Sequence, residues 1–279
     1  MKEIPQADYA IIGGSSTFSI DFPEDLGLAD VKVVADNLIY ETPYGKSPSF
    51  KLFTIADKNV LTVRMHGWRP AAGVSRADAS KQLFWVLREA GVKRVFAEGG
   101  VGSINQLLEL RDLVVVDDYI DFSMRQDVGL GSPYLLTMRE PICPIGSGNL
   151  VAAAKRAVAG TERHVFGRGT YVNTDGRHFE SRAEVQMFKY WQADVVGQSI
   201  TPEVYLAREI GACYAGIYMV VNYAEGIIRD WEHAELSDIF YQESKLIGRV
   251  LVEAVRSSST AVTECSCQQY RTATLLKEE

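Results

Sequence analysis

The chain has 279 residues, of which 47% are hydrophobic and 23% charged, and these proportions are typical of a soluble globular protein. Its formal net charge of −7 and the lack of any long basic block argue against broad nucleic-acid binding. No apolar run approaches the ~18–20 residues that a membrane span needs, and the first residues lack the order of a secretion signal. We therefore expect a cytoplasmic protein whose partners are neither nucleic acid nor membrane.

The first half of the chain alternates apolar strands with one amphipathic helix. Periodicity and turn residues predict a strand over 10–12 that runs into a glycine turn, strands over 51–55 and 60–65, a helix over 75–90 ended by Gly91, a strand over 93–97 followed by a second glycine turn, and a strand over 113–118.

The second half continues the alternation and predicts helices over 149–158, 181–191, 202–210 and 237–256 and strands over 169–173, 194–197 and 216–221. Ser181 and Glu184 have the spacing of a capping box, Pro202 suits the first position of a helix, and Ser237 is the expected cap of the last helix. The pattern predicts an α/β fold: a single domain over 1–279 with a mixed, mostly parallel central sheet flanked by helices. The polar tail from about residue 257 is expected to be partly mobile.

The four cysteines have no spacing typical of a zinc site, because the only close pair is Cys265-Ser-Cys267. We expect four reduced thiols without a catalytic role, and no metal. A disulfide between Cys265 and Cys267 is the alternative.

Several groups that can bind an anion follow predicted strands. Ser15 and the Gly99-Gly100 pair lie at glycine turns, where backbone N–H groups are exposed. Arg64 and His66 are two residues apart at a strand end, so strand alternation predicts that both face one site. Ser199 precedes a predicted helix. Each of these groups alone is more often structural, but together they predict a phosphate site.

Two polar residues are candidates for binding a base. Glu180 follows an aromatic residue, Phe179, at the start of a predicted helix, and Asn222 ends a fully apolar strand where its amide must find partners. Glu180 could equally interact with the helix dipole, and Asn222 could equally be a turn residue.

In combination, these motifs resemble the purine nucleoside phosphorylase and methylthioadenosine phosphorylase family, of the trimeric type. The resemblance runs from Ile11 to about Cys267 and rests on five segments. They are Ile11-Ile12-Gly13-Gly14-Ser15, Arg64-Met65-His66, Gly100-Val101-Gly102-Ser103, Phe179-Glu180-Ser181 with Ala183-Glu184, and Ala193-Asp194-Val195-Val196-Gly197-Gln198-Ser199 with Thr201-Pro202-Glu203-Val204. It implies a nucleoside phosphorylase-like fold, a homotrimer or hexamer, and phosphorolysis of a purine nucleoside to free base and ribose 1-phosphate. Phosphate is then the co-substrate, and no other cofactor is expected. Some thermophilic members carry a similar Cys-x-Cys near the C-terminus.

The resemblance also implies a role for each candidate residue. The catalytic residues are Asn222, His66 and Glu180; phosphate binds to Ser15, Arg64, His66, Gly99, Gly100 and Ser199; the base binds to Phe179, Glu180, Asn222 and Ala224; and the ribose binds to Gln198, Trp68 and Asp238.

Single residues at the base site favour a 6-oxopurine. Adenosine-type members generally have Asp at the position of Asn222, another Asp at that of Ala224, and Ser at that of Glu180. A Glu180 carboxylate accepts from N1–H, whereas Asn222 donates to O6. Four features depart from the family pattern. Gln198 replaces a Met that packs on the ribose, and Glu98 places a carboxylate near the expected phosphate loop. Arg177-His178 replaces a more usual Pro-Ser or Pro-Arg, and Asp238 lies where the family has a His or Val beside the 5′ group.

Three alternatives remain at this stage. One is phosphorolysis of S-methyl-5′-thioinosine or S-methyl-5′-thioadenosine by the same family. Another is a non-catalytic purine-binding paralogue, which Gln198 and Glu98 would favour. A dinucleotide-binding enzyme is the weakest, since the glycines at 99, 100 and 102 lack the Gly-x-Gly-x-x-Gly spacing.

Overall fold

The computed structural model of the chain describes residues 3–66, 73–125, 127–176 and 178–275, with only the backbone of Val262. Its strands are β1 (Tyr9–Gly13), β2 (Val31–Leu38), β3 (Glu41–Thr42), β4 (Gly45–Lys46), β5 (Phe50–Ile55), β6 (Lys58–Arg64), β7 (Arg94–Ser103), β8 (Leu113–Val115), β9 (Asp118–Asp121), β10 (Tyr134–Leu136), β11 (Val165–Phe166), β12 (Thr170–Asn173), β13 (Val195–Gly197), β14 (Cys213–Tyr223) and β15 (Arg271–Ala273). Its helices are α1 (Ser15–Phe18), α2 (Arg76–Glu89), α3 (Pro144–Ala157), α4 (Arg182–Tyr190), α5 (Ile200–Glu209) and α6 (His233–Ser257).

One mixed sheet organises these elements, with the strand order β11-β8-β14-β7-β1-β6-β5-β2 along its main path. The four central strands, β14, β7, β1 and β6, run parallel to one another. On one side β8 pairs antiparallel with β14, and on the other side β5 pairs antiparallel with β6 and β2 with β5. A branch of β13, β12 and β9 leaves the path at the end of β7, where β13 pairs antiparallel with Gly102 and Ser103. The predicted mixed, mostly parallel sheet with flanking helices is confirmed.

The core lies on both faces of the central strands. Every residue of β1 is buried, and so is every residue of β14 except Tyr223. Such strands are apolar throughout because helices cover both faces of the sheet and leave neither face in water. Among the described residues, no helix is long and apolar enough to cross a membrane.

The helix starts test the predicted capping signals. The Ser181 capping box is confirmed, since the Ser181 hydroxyl accepts from the Glu184 N–H while the Glu184 carboxylate accepts from the Ser181 N–H. The prediction for Ser237 is wrong: α6 begins four residues earlier, after Glu232, and Ser237 lies inside it. Helix α3 also begins earlier than predicted, because Pro144 occupies its first turn.

The predicted turn at Gly99 and Gly100 is wrong, because β7 continues through both glycines to Ser103. The reason lies in the partner strand: β14 pairs with β7 over this whole length, with Tyr218 opposite Gly99 and Met219 opposite Gly100. Hydrogen bonds between β7 and β14 therefore keep this segment in a strand, although its local sequence is typical of a turn.

The C-terminal segment, residues 258–275, packs against the body of the protein instead of lying free. β15 pairs antiparallel with β10, the Tyr9 hydroxyl donates to the Ser258 carbonyl at 2.9 Å, and Arg271 Nε donates to the Glu209 carbonyl at 2.8 Å. Two cysteines of this segment meet two from distant parts of the chain: the Sγ atoms of Cys143, Cys213, Cys265 and Cys267 all lie within 4.8 Å of one another. The cysteine spacing therefore did not indicate their arrangement.

Candidate active site

A cavity of about 320 Å³ opens where β1, β6, β7, β13 and β14 end. The carboxyl ends of strands are the usual place for a ligand in an open α/β sheet. The cavity brings together most of the predicted site residues, and those that line it are Ser15, His66, Gly99, Gly100, Phe179, Glu180, Gln198, Ser199, Asn222 and Ala224.

Two predicted residues lie outside this cavity. The prediction that Arg64 shares a face with His66 is wrong, because β6 ends at Arg64 and the strand alternation stops there. The Arg64 guanidinium instead donates to the Ile20 carbonyl at 2.6 Å and lies over the Phe18 ring. Asp238, predicted to bind ribose, is half exposed and pairs with Arg111 at 3.1 Å. Trp68, the other predicted ribose contact besides Gln198, lies outside the described residues.

A β-bulge near the end of β14 directs Asn222 into the cavity. The pairing of β14 with β7 shifts register between Val220 and Asn222, so Val221 is an extra residue. Val221 and Asn222 consequently both line the cavity, although consecutive strand residues normally point to opposite faces. The Asn222 side chain is 5% exposed, and its Nδ2 donates to the Tyr223 carbonyl at 2.9 Å. One N–H and the amide oxygen therefore remain for a ligand.

Glu180 is fixed in the cavity wall as a hydrogen-bond acceptor. It is 7% exposed, and its Oε1 accepts from the Thr174 hydroxyl at 2.6 Å. Thr174 is itself held by Arg125, whose Nη2 donates to the Thr174 carbonyl at 2.7 Å. Beside Glu180, the Phe179 ring contacts the Trp231 ring with centroids 4.6 Å apart. This corner thus offers a carboxylate oxygen beside an aromatic face.

Glu98 points away from the cavity and into the turn between β1 and α1. Its Oε1 accepts from the Gly14 N–H at 2.5 Å, and from the Thr17 N–H and hydroxyl at 3.0 and 2.8 Å. These two N–H groups belong to the turn that the sequence predicted to bind phosphate. The Glu98 carboxylate already accepts hydrogen bonds from them. Ser15 of the same turn does line the cavity.

His66 lies at the cavity in a buried ion pair with Glu203. Its Nδ1 donates to the Glu98 carbonyl at 2.8 Å, and its Nε2 is 2.7 Å from Glu203 Oε1. The other Glu203 oxygen accepts from the Tyr214 hydroxyl at 2.9 Å. Burial alone would lower the pKa of His66, but the charge and hydrogen bond of Glu203, together with Glu98, raise it above its ordinary value. The Glu203 carboxylate therefore favours the protonated, cationic form of His66 at the cavity wall.

Ser199 and the glycines of β7 form the remaining part of the wall. The Ser199 Oγ lies 3.2 Å from the Tyr171 hydroxyl, and burial raises the pKa of Tyr171 to about 12. A Cβ added at Gly100 would meet the Phe240 ring at 2.7 Å. Glycine is therefore required here so that α6 can approach the strand closely.

The sequence reasoning missed several residues of the cavity wall. Arg125 pairs with Asp175 at 3.0 Å and holds the loop that carries Thr174, yet an isolated arginine gives no local signal. Leu236 and Phe240, both from α6, also line the cavity. Their i, i+4 apolar spacing was the available signal, and it was overlooked because the helix was expected to start at residue 237.

Comparison with known proteins relates the whole chain to one enzyme family. A family model described as the phosphorylase superfamily matches residues 9–256. The chain is 31% identical over 257 residues to the 6-oxopurine nucleoside phosphorylase of Pyrococcus furiosus, covering 88% of this chain and 91% of that protein. It is also 31% identical over 253 residues to the S-methyl-5′-thioadenosine phosphorylase of Pyrococcus horikoshii, with coverage of 88% and 90%. Among solved structures, it resembles a methylthioadenosine phosphorylase sourced from an antarctic soil metagenomic library, with a TM-score of 0.75 at 24% identity over 96% of this chain and 91% of that one.

Proposed function

The chain belongs to the phosphorylase superfamily and is a nucleoside phosphorylase, a type of pentosyltransferase, and from this premise we propose that its substrates are 6-oxopurine nucleosides such as inosine and guanosine. The products are the free base and ribose 1-phosphate, as in purine salvage. The observation that carries the proposal is the presence of a buried carboxylate, Glu180, and a buried amide, Asn222, on one cavity.

The hydrogen-bonding pattern of the base decides between oxo- and aminopurines. A 6-oxopurine has a proton on N1 and an acceptor at O6, and a 6-aminopurine has the reverse. Thr174 donates to Glu180, which leaves the carboxylate to accept from N1–H. The remaining N–H of Asn222 can donate to O6, and its oxygen can accept from N7–H of the departing base, which stabilises the charge that develops on the purine. Adenine would leave buried polar groups unmatched at this site.

Phosphate is the proposed nucleophile, and Ser15, His66 and Ser199 are its proposed contacts. All three line the cavity, and Glu203 favours the positively charged form of His66 because it raises the pKa of that residue. Phosphate held there would stabilise the cationic sugar and then attack its anomeric carbon, so the reaction needs neither a protein nucleophile nor a further cofactor. Because Arg64 faces elsewhere, His66 is the proposed source of the cationic contact.

A substrate with a 5′-methylthio group is the second candidate, and the apolar side chains at the start of α6 favour it. Of the residues at the start of α6, the apolar Leu236 and Phe240 line the cavity, whereas the acidic Asp238 between them pairs with Arg111 outside it. An apolar wall suits a methylthio group better than a hydroxyl. S-methyl-5′-thioinosine satisfies both this wall and the base site.

For the assembly we propose a homotrimer, or a hexamer built from two trimers, of one domain per chain. Exposed apolar side chains support an interface: Met124, next to the cavity-lining Arg125, is 92% exposed, and Tyr190 on α4 is 87% exposed. Sedimentation of the purified protein tests this state. The cytoplasmic location stays a prediction.

A substrate panel tests the proposed specificity. Inosine, guanosine, adenosine and their 5′-methylthio analogues are incubated with the purified chain, with and without phosphate, and free base is measured. We expect phosphate-dependent release of hypoxanthine and guanine, and negligible release of adenine. Faster cleavage of methylthioadenosine than of every 6-oxopurine substrate would overturn the assignment. Base binding without turnover of any substrate would instead indicate a non-catalytic purine-binding protein.

A further inference from the structure

Four cysteine side chains form a compact cluster on the side of the fold where the C-terminal segment packs. We call it the four-cysteine cluster, and its members are Cys143, Cys213, Cys265 and Cys267. One member precedes α3, one begins β14, and two lie in the C-terminal segment. None of them lines the cavity described above.

The geometry of the cluster matches the requirements of a tetrahedral metal ion. Zinc binds thiolate sulfur at about 2.3 Å, which places the four sulfurs of a tetrahedral site about 3.8 Å apart. All four Sγ atoms lie within 4.8 Å of one another, and those of Cys213 and Cys265 are 3.5 Å apart. The four residues are thiols and are not joined by disulfides. Four sulfurs in mutual contact are the ligand set that favours zinc among the common divalent ions.

The burial of the cluster indicates a structural site. Cys143, Cys213 and Cys267 are buried and Cys265 is half-buried. A catalytic zinc site keeps one position open for water or substrate, whereas four protein ligands close the coordination sphere.

The surroundings of the cluster favour negative charge on the sulfurs. Arg94, fully buried and opposite Cys213 in the β7–β14 pairing, donates from Nη1 to Cys143 Sγ at 3.8 Å. The Arg94 guanidinium would offset part of the net charge of −2 that four thiolates and one divalent ion carry.

We propose that the four-cysteine cluster binds one structural zinc ion as four thiolates and thereby fixes the C-terminal segment to the sheet. Arg94 contributes to both roles, because its Nε donates to the Ser259 carbonyl at 2.5 Å and its Nη2 to the Ala261 carbonyl at 2.8 Å. Each thiol releases one proton on binding, and no oxidation or reduction takes place. The proposal is independent of the nucleoside that the cavity accepts.

Metal content and thiol state provide the first test. The full chain is expressed with zinc supplementation, freed of loosely bound metal by gel filtration, and analysed by inductively coupled plasma mass spectrometry. We expect about one zinc per chain. The protein is then denatured with chelator and iodoacetamide but without reductant, and all four cysteines should be alkylated. Iron in place of zinc, or a metal-free protein in which cysteine pairs resist alkylation as disulfides, overturns the proposal.

A matched pair of variants provides the second test. Cys265→Ser removes the least buried ligand, and Ser266→Ala alters the neighbouring position without removing a thiol. We expect Cys265→Ser to lose zinc to a competing chromogenic chelator about tenfold faster or more, and Ser266→Ala to match the wild type. Cobalt substitution gives a readout that does not depend on activity or stability. The wild type and Ser266→Ala should show the visible bands of tetrahedral tetrathiolate cobalt, and Cys265→Ser should not. Equal zinc retention by both variants refutes the site.

Discussion

Replacing Glu203 with glutamine tests whether His66 supplies the cationic contact for phosphate. At 2.7 Å, the attraction between the imidazolium and the Glu203 carboxylate amounts to about 6 kcal/mol at an effective dielectric constant of about 20, before desolvation opposes it. Removing that charge leaves burial as the dominant influence, and burial lowers the pKa of His66. The glutamine can donate to the neutral Nε2 and accept from the Tyr214 hydroxyl, so the local hydrogen bonds survive the loss of charge.

The expected effect is on phosphate rather than on the base. Both ring nitrogens of His66 are already hydrogen-bonded within the protein, so its contribution to phosphate is a through-space attraction. At a separation of about 5 Å and an effective dielectric constant of about 40, this attraction is worth about 1–2 kcal/mol, so the KM for phosphate should rise about five- to thirtyfold. Because Glu203 raises the pKa of His66, the positive charge of His66 in the wild type is complete below the ordinary pKa of histidine. That charge is lost as the pH rises through the raised value. Phosphate binding by the wild type should therefore weaken on the alkaline side, whereas in Glu203→Gln it should already be weak near neutral pH.

Initial rates are measured at saturating inosine while the phosphate concentration is varied. The series is repeated at pH values from about 6 to about 9. Thermal stabilisation by phosphate alone gives a second readout that needs no turnover. Asp238→Asn is the matched control, because it removes a carboxylate that lies outside the cavity and pairs with Arg111. If Glu203→Gln has the same phosphate KM and the same pH dependence as the wild type, His66 does not bind phosphate as an imidazolium.

Three further substitutions test other parts of the site. Asn222→Asp should lower kcat/KM for inosine about tenfold or more relative to adenosine, since it repels O6; an unchanged ratio contradicts the role of the amide. Thr174→Val should lower kcat/KM for inosine about fivefold and leave the phosphate KM unchanged, and a change in phosphate KM alone would contradict this. Gly176→Ala should lower the free energy of unfolding in urea by about 1–2 kcal/mol, because Gly176 has a φ of 79° and an added Cβ would meet Gln198; full stability would show that the loop relaxes freely.

The two proposed base-binding residues could be identified as cavity residues from local sequence because their signals are local. Asn222 is the only side-chain amide in a fully apolar strand, and Glu180 precedes a helix cap that the structure retains. What no local pattern encodes is the bulge at Val221, which arises from the pairing of β14 with β7 and determines that Asn222 enters the cavity.

The cationic part of the site could not be predicted, because it depends on contacts between distant segments. Glu203 lies 137 positions from His66 in the sequence, and the turn taken for a phosphate loop is satisfied from within by Glu98 on β7. The expectation for Arg64 assumed that strand alternation continued past the end of β6. In each case the missing information was which segments of the chain are neighbours in the fold.

The place of β7 in the sheet has a consequence for synthesis on the ribosome. β7 lies between β1 and β14, and its buried residues pair with a strand that emerges only after α3, α4 and α5 have been made. Until then, one edge of an apolar strand has no partner, which is the condition that favours association between nascent chains. The sheet can close only when most of the polypeptide has left the exit tunnel, so the pairing that completes it comes late in translation.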